Sequence, residues 1–239
     1  MKCNCMILEI EIDWPVILLY TGDKTKDRYL THLTWERKKM DDAKLLNFYL
    51  DMYGAEAAPW NLSPVNLYLE METRDWFIKE VALPVDCSVC NIGIGAGDWD
   101  EFLGYKLLGK GRLTSVDIDP ETCDTFAYRQ KREGHPNPSI VICQDILEPF
   151  PTNQLFDLVC ITGSTLRETG AYEPVLDNLQ KLLKQGGLLF YMDIERYHGQ
   201  AKLSDYLNRQ GKLHLIKSEL FTRFPNMMFH VNLLKTAMV

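Results

Sequence analysis

The sequence lacks any apolar run long enough to span a membrane. The run from Val16 to Tyr20 is far shorter than the roughly 20 residues that a transmembrane helix needs. The acidic residues Glu9, Glu11 and Asp13 interrupt the apolar stretch that a secretory signal peptide would require. We therefore expect a cytoplasmic protein with no membrane partner.

Positive charge is also scarce. The formal net charge is −7 at pH 7, which opposes the broad attraction to phosphate on which nucleic-acid binding depends. Two local basic runs, at residues 37–39 and 129–132, are flanked by acids and are interpreted as solvated helix faces. A nucleic-acid partner is therefore disfavoured.

The cysteines do not form a pattern typical of a disulfide framework or a metal site. There are seven of them, an odd number, and no secretory signal accompanies them. Cys87 and Cys90 invite a zinc interpretation, but their spacing within a strand would place the two thiols on opposite faces of the sheet. We expect free, apolar cysteines and no metal site.

The chain has no internal repeats and divides into an irregular segment, residues 1–84, and a regular domain, residues 85–239. Strands are expected at 85–92, 112–117, 139–143, 156–161 and 188–192, with helices at 98–108, 120–133 and 172–184 between them. This alternation predicts an α/β fold with a doubly wound, Rossmann-like, mostly parallel sheet. After a helix at 201–209, strand-like runs at 212–220 and 227–235 surround a short turn, which predicts an antiparallel hairpin that completes seven strands.

The N-terminal segment is rich in aromatic residues and holds four of the five tryptophans, Trp14, Trp35, Trp60 and Trp76. Helices are plausible at 41–53 and 65–82. We expect this segment to act as a helical lid that covers a ligand site and contacts the substrate. The alternative is that its aromatic residues only pack extra helices onto the sheet.

A glycine-rich loop follows the first expected strand. Gly93, Gly95 and Gly97 alternate at the strand end, where glycine allows a sharp turn and close contact between a ligand and the backbone. Asp117 lies 24 residues after Gly93, at the end of the second strand, where its carboxylate can accept hydrogen bonds from ribose hydroxyls. The combination indicates a nucleoside-containing cofactor.

The glycine loop and the segment around Asp117 are two of five segments in which the chain resembles the class I S-adenosylmethionine-dependent methyltransferases, over about residues 85–239. Five segments carry the resemblance, in the order typical of that family: 89–97, 115–119, 143–146, 156–161 and 182–189. The expected C-terminal hairpin also resembles the one that closes the sheet in that family. The resemblance implies S-adenosyl-L-methionine as the cofactor and says little about the substrate.

The resemblance also implies roles for single residues. The loop glycines would approach the methionine portion of the cofactor, Asp117 would bind both ribose hydroxyls, and Ile118 would lie against the adenine ring. Asp145 would accept a hydrogen bond from the exocyclic amine, and the N–H of Ile146 would donate to a ring nitrogen. The carbonyl of Ile161 would lie near the methionine amino group. The alternative for Asp145 is an ordinary turn residue.

One position departs from the family pattern. The family usually carries an aspartate or glutamate where this chain has Asn91, which is also expected in the cofactor site. An amide can still accept a hydrogen bond, but it brings no negative charge toward the cofactor's ammonium group. We therefore expect somewhat weaker binding and the same fold.

Methyl transfer from a sulfonium is an in-line displacement, so positioning of donor and acceptor dominates the protein's contribution. A general base is needed only if the acceptor must lose a proton. Arg167 and Glu168 follow the fourth strand, and Tyr197 and His198 follow the fifth. Of these, Glu168 and His198 are the catalytic candidates. The alternatives are that Glu168 caps its loop and that His198 is an incidental surface histidine.

The acceptor is expected to be a small organic molecule, methylated on O, N or C without a metal. The Asn/Asp-Pro-Pro-Tyr/Phe motif typical of enzymes that methylate adenine or glutamine is replaced by Ile-Thr-Gly-Ser at residues 161–164. No acid follows the fourth strand directly, as it does in the magnesium-dependent enzymes. Three alternatives stay open: an RNA or protein methyltransferase, a catalytically silent cofactor-binding subunit, and an NAD-dependent oxidoreductase, although Asp98 occupies its third glycine position. A homodimer is also open.

Overall fold

The computed structural model describes residues 40–55 and 57–237 of the chain. The helices are α1 Asp42–Met52, α2 Ala58–Asn61, α3 Pro64–Glu80, α4 Asp98–Lys106, α5 Pro120–Arg132, α6 Thr165–Thr169, α7 Tyr172–Lys181 and α8 Gln200–Gln210. The strands are β1 Cys87–Ile92, β2 Gly111–Asp117, β3 Ile140–Cys143, β4 Phe156–Ile161, β5 Leu183–Ile194, β6 Leu213–Phe221 and β7 Phe229–Thr236. The expectations for residues 1–39, including Trp14 and Trp35, lie outside the described residues.

The seven strands form one sheet in the order β3-β2-β1-β4-β5-β7-β6. Strands β1 to β5 pair in parallel, whereas β7 is antiparallel to both of its neighbours, β5 and β6. The expected doubly wound sheet with its C-terminal hairpin is therefore confirmed. None of the helices in the described part of the chain has the length and apolar character that crossing a membrane demands.

The register of the parallel strands places their carboxyl ends along one edge of the sheet. Ile92 at the end of β1 pairs with Val116 of β2 on one side and with Ile161 of β4 on the other. Asp117 pairs with Cys143 at the end of β3. The loops that leave these strands therefore meet at a single edge, where ligands bind in sheets of this type.

Both faces of the sheet are covered by helices. Alternate residues of β1 show the division: Val89 contributes to an apolar cluster with α3 and α4, whereas Cys90 contributes to a cluster with α7 and α8. In the first cluster Phe77 of α3 meets Phe190 of β5 edge to face, with ring centroids 5.1 Å apart. Trp76 is buried beside them, so this tryptophan packs its helix onto the sheet.

Two boundaries differ from the sequence expectation by more than two residues. Helix α7 ends at Lys181 and β5 begins at Leu183, whereas a helix to residue 184 and a strand from residue 188 were expected. Leu183 pairs with Phe156, and the chain then bulges through Gly186 before the pairing resumes at Leu188. Burial of the leucines in the sheet decides the boundary against the helical pattern. Helix α6 was not expected.

Candidate functional site

A cavity of about 780 Å³ lies at the carboxyl edge of the sheet. Loops after β1, β2, β3 and β4, the inward face of α3 and the segment after β5 all contribute to its wall. Its lining includes Asn66, Leu69, Glu70, Thr73, Arg74, residues 92–99, residues 116–118, residues 144–147, residues 162–165, residues 167–169, Met192, Ile194 and Tyr197.

The glycine loop forms one wall of the cavity and needs glycine for its geometry. Gly93, Gly95 and Gly97 have φ angles of +88°, +54° and +82°, which side chains other than glycine rarely adopt. A Cβ on Gly93 would lie 2.3 Å from the Thr165 hydroxyl. At Gly97 it would lie 2.6 Å from Phe126, whereas at Gly95 it would meet open space. The loop therefore packs against α5 and α6 and presents its free side at Gly95.

Asp117 connects the end of β2 to this loop. Its Oδ2 accepts hydrogen bonds from the N–H groups of Ile94 at 2.8 Å and Gly95 at 3.4 Å, and its Oδ1 accepts from Asp119 at 3.0 Å. The adjacent Ile118 is 64% exposed, which is unusual for a large apolar side chain, and it lines the cavity. The hydrogen-bond acceptor of Asp117 and the exposed apolar side chain of Ile118 are therefore adjacent at the cavity.

The segment after β3 forms the neighbouring wall. The N–H of Gln144 donates to the Asp117 carbonyl at 2.8 Å, which holds this segment against the end of β2. Asp145 closes a turn, because its Oδ1 accepts from the Leu147 N–H at 2.9 Å. Asp145 and the buried Ile146 both line the cavity.

Asn91 and Ile161 stand behind the cavity wall. Both are buried at the ends of their strands, and the wall itself is formed by the residues that follow them. The Asn91 amide donates to the Gly93 carbonyl at 3.1 Å and to Oδ2 of Asp100 at 2.9 Å. Asn91 therefore braces the loop from beneath. Burial raises the pKa of Asp100 to about 7, although the side chains of Ser115 and Asn91 lower it.

The two catalytic candidates occupy different surroundings. Glu168 lines the cavity from α6, and its Oε1 accepts from the Ser164 hydroxyl at 2.5 Å. His198 is not among the cavity-lining residues. Its Nδ1 lies 2.8 Å from Oδ2 of the buried Asp193, and its ring packs on Tyr172 at 4.7 Å. The structure therefore brings Glu168, but not His198, to the cavity.

Cationic and aromatic side chains, among them Arg74, Arg167 and Tyr197, line the cavity. The Arg167 guanidinium lies over the Tyr197 ring, 4.3 Å from its centroid, and Arg196 contacts the same ring at 5.1 Å. Across the cavity, Arg74 of α3 donates to the Asp98 carbonyl at 3.1 Å. Helix α3 therefore contributes part of the wall directly above the glycine loop.

Residues 89–187 match the family model of a methyltransferase domain. This segment, 99 of the 239 residues, contains the glycine loop, Asp117 and β4, and it carries the methyltransferase domain. This finding confirms the family and the enzyme class that the sequence motifs predicted. No curated protein matches the chain.

Solved structures with this methyltransferase fold act on different molecules. Magnesium protoporphyrin IX methyltransferase (ChlM) from Synechocystis PCC 6803, solved with bound S-adenosylmethionine, aligns with a TM-score of 0.60 and 15% identity over 80% of this chain and 91% of its own. The cyclase SpnF aligns with a TM-score of 0.59 and 13% identity over 70% and 81%. An rRNA methylase from Streptococcus thermophilus aligns with a TM-score of 0.52 and 13% identity over 73% and 97%. Likeness at this level shows the fold alone.

The sequence interpretation missed the contact by which Arg129 of α5 supports the glycine loop. Arg129 was assigned to a solvated face, but its side chain is only 4% exposed and forms an ion pair with Glu101 at 2.7 Å. It also donates to the Ala96 carbonyl at 2.6 Å, within the glycine loop. Helical periodicity from Phe126 was the signal that could have placed positions 129 and 130 on the buried face of α5.

Proposed function

We propose that the chain binds S-adenosyl-L-methionine in the cavity and transfers its methyl group to a small organic acceptor without a metal ion. The observation that carries the proposal is the arrangement at the end of β2. There the Asp117 carboxylate, the Gly95 backbone with open space beside it and the exposed side chain of Ile118 meet in one cavity. These are the groups that a ribose, a methionine portion and an adenine would require.

The residues present fit this cofactor. A carboxylate has about four lone-pair sites, and the three backbone hydrogen bonds to Asp117 leave acceptor capacity for a ribose hydroxyl. Open space at Gly95 leaves room for a ligand against the backbone, because even a Cβ there would touch nothing. The bound S-adenosylmethionine in the porphyrin methyltransferase supports the same assignment.

The cofactor supplies a methyl group on an activated sulfonium leaving group, so this chain has to position the acceptor and exclude water. Apolar side chains of Leu69, Met192 and Ile194 line the cavity and suit the body of an organic acceptor. Helix α3 acts as the cover on this side. The cavity volume of about 780 Å³ lies in the range typical of small-molecule sites.

Glu168 is the residue that we assign to proton removal or to orientation of the acceptor. One of its oxygens is fixed by Ser164, and the carboxylate keeps its other oxygen to accept a proton or a hydrogen bond. Tyr197 lies on the same wall of the cavity and supplies an aromatic surface and a hydroxyl. His198 is not assigned a role here, because Asp193 engages its ring away from the cavity.

The cofactor assignment is tested by calorimetry with S-adenosylmethionine and S-adenosylhomocysteine. We expect both to bind, and we expect Asp117→Asn to weaken binding roughly 10- to 100-fold, since it removes a charge-assisted acceptor. Asp119→Asn is the matched control, because Asp119 is exposed, caps α5 and does not line the cavity. Absence of binding by the wild-type protein would contradict the proposal.

The acceptor class needs a second measurement. Transfer of isotope-labelled methyl groups is measured to a panel of small phenols, carboxylic acids and amines, with bulk tRNA and protein as parallel substrates. We expect transfer to a small molecule that Glu168→Gln reduces without changing the affinity for S-adenosylhomocysteine. Transfer to tRNA or protein alone would favour the macromolecular alternative. Cofactor binding with no transfer to any substrate would favour the silent-subunit alternative.

A further inference from the structure

A buried carboxyl beneath the glycine loop is not explained by the fold. Asp100 lies in the first turn of α4 and is only 1% exposed. Its Oδ2 accepts the hydrogen bond from Asn91. Its Oδ1 is buried without a well-formed hydrogen bond among the described residues, because the nearby Ser115 hydroxyl donates to Ser139 at 2.9 Å. Burial of a carboxyl oxygen without a hydrogen bond lowers the stability of the fold, so a functional reason for Asp100 is expected.

The geometry fixes the orientation of the Asn91 amide. The Gly93 carbonyl can only accept a hydrogen bond, so the amide nitrogen must face it. The same nitrogen also faces Asp100 and donates its second proton there. An aspartate at position 91 would place a further acceptor oxygen against two acceptors, the Gly93 carbonyl and the Asp100 carboxylate, and would donate to neither. Asn91 is therefore the matched partner of Asp100, and the pair holds one acid and one amide beneath the loop.

No cation neutralises Asp100 within the described residues. The titratable groups that face it are Cys90 of β1, Cys160 of β4 and Asp117 at the end of β2. On its own helix, Glu101 is paired with Arg129. Burial without a cationic partner accounts for the raised pKa of Asp100, which lies at about 7.

We propose that Asp100 is a positioning residue of the cofactor site, which acts through Asn91 on Gly93 and supplies a buried negative charge that favours a cationic ligand. The charge that the family pattern places at position 91 is thereby moved to the helix after the loop, nine residues later. The inference rests on the proposed function, because it takes S-adenosylmethionine as the ligand of this loop.

The sulfur charge distinguishes the two cofactor forms. S-adenosylmethionine is a sulfonium cation, whereas the sulfur of S-adenosylhomocysteine is neutral. A cation bound above Asp100 stabilises the ionised carboxylate, so the affinity for S-adenosylmethionine rises as the pH rises through about 7. The affinity for S-adenosylhomocysteine rises less. A residue with a purely structural role would affect both ligands alike.

The test is calorimetry with both ligands at about pH 6 and about pH 8 on the wild type and four variants. The variants are Asp100→Asn, Asn91→Asp, the double exchange Asn91→Asp/Asp100→Asn, and the control Asp157→Asn. Asp157 lies at the opposite end of the sheet and is bound to Ser88 and Lys184. Melting of each variant without ligand reports whether it is folded.

We expect the wild type to bind S-adenosylmethionine roughly threefold to tenfold more tightly at the higher pH. Asp100→Asn removes this pH dependence and lowers the ratio of S-adenosylmethionine to S-adenosylhomocysteine affinity by a similar factor. The double exchange leaves an acid facing the Gly93 carbonyl but removes the repulsion between two acids that Asn91→Asp alone creates. It therefore binds more tightly than the sum of the two single effects predicts. Asp157→Asn binds as the wild type does.

The inference is overturned if Asp100→Asn folds and keeps both the pH dependence and the wild-type ratio of affinities. Strictly additive effects in the double exchange would also overturn it. Failure of the proposed function gives a different result, since the wild type would then bind neither ligand. If Asn91→Asp does not fold, Asp100→Asn alone still decides, because asparagine has the shape of the protonated acid.

Discussion

Two buried carboxyls in this enzyme contrast sharply. Asp193 is fully buried and accepts three hydrogen bonds, from the Tyr191 hydroxyl at 2.9 Å, from His198 at 2.8 Å and from the Ile194 N–H at 2.6 Å. Asp100 is almost as buried, and its one short, well-formed hydrogen bond to a side chain among the described residues comes from Asn91 at 2.9 Å. Internal donors make Asp193 a self-contained part of the fold. Asp100 lies beneath a ligand loop, and no cation among the described residues neutralises its ionised form.

The hydrogen bonds around Asp193 also differ from those at the cavity. Beyond Asp193, His230 donates from Nε2 to the His198 carbonyl at 2.7 Å, so its Nδ1 must accept from the Asn232 amide at 2.6 Å. The Ser218 hydroxyl donates to the other end of Asn232 at 2.7 Å. Each donor in this network has a protein acceptor. At the cavity, by contrast, polar groups are oriented by the protein but keep capacity for a ligand.

A side chain at Gly93 of the glycine loop should cause the largest loss of ligand binding at the cavity. Gly93→Ala places a Cβ within 2.3 Å of the Thr165 hydroxyl at a φ of +88°. We expect S-adenosylhomocysteine binding to fall by at least about 100-fold and stability by about 2 kcal/mol or more. Gly109→Ala is the control, since its φ is +69° in open space, so it should lose only about 1 kcal/mol of stability. Equal effects of the two variants on calorimetric binding would refute this prediction.

Removal of Asp193 should break the self-contained network without affecting the cavity. Asp193→Ala leaves the Tyr191 hydroxyl and the His198 ring without their acceptor, so we expect a loss of about 2–4 kcal/mol in the free energy of unfolding. Urea denaturation measures this loss, and calorimetry should find S-adenosylhomocysteine affinity within about twofold of wild type. Asp205→Ala, an exposed acid on α8, is the control. A large loss of affinity would connect His198 to the cofactor site after all.

The pH dependence of stability separates Asp100 from an ordinary ion-paired acid. Folding raises the pKa of Asp100 from 3.8 to about 7 through burial, so its contribution is present at low pH and is lost as the pH rises through about 7. Without ligand, Asp100→Asn should therefore gain stability over the wild type as the pH rises from about 4 to 8, by on the order of a few kcal/mol. Urea denaturation at a series of pH values measures the gain.

Asp157 provides a control of opposite sign for this measurement. Burial alone would raise its pKa, but hydrogen bonds from Lys184 and Ser88 lower the pKa of Asp157 overall. Its contribution is therefore present above the ordinary value of 3.8 and lost at lower pH. Asp157→Asn should lose stability relative to the wild type at neutral pH, whereas Asp100→Asn gains it. Parallel stability curves for Asp100→Asn and the wild type would contradict the prediction for Asp100.

The contrast also explains what the sequence could reveal. The places of the glycine loop and Asp117 at the sheet edge were predictable because their geometry is local: a strand end, a turn and the next strand end have fixed spacing. The expectation for Ile118 came from the family resemblance. The sheet followed from the alternation of strands and helices. Asp100 and Arg129 were not predictable as loop supports, since their contacts depend on how α4 and α5 pack against the loop.

The boundary of β5 and the position of His198 illustrate the same limit. Leu183 fits the helical pattern of α7, yet pairing with Phe156 draws it into the sheet. His198 follows β5 at the correct edge of the sheet, but sequence position gives no direction for its side chain. The buried Asp193 sets that direction. Long-range contacts decide both cases, and a single sequence does not display them.

The smallest expected effect is that of shortening Ile118, an apolar side chain of the cavity wall. Ile118→Ala removes an exposed side chain, so we expect stability to change by less than about 0.5 kcal/mol. If the adenine ring covers Ile118, affinity for S-adenosylhomocysteine should fall about tenfold, because the lost contact is made only with the ligand. Ile140→Ala is the control: Ile140 is 42% exposed at the start of β3 and does not line the cavity. Unchanged affinity in Ile118→Ala would place the adenine elsewhere in the cavity.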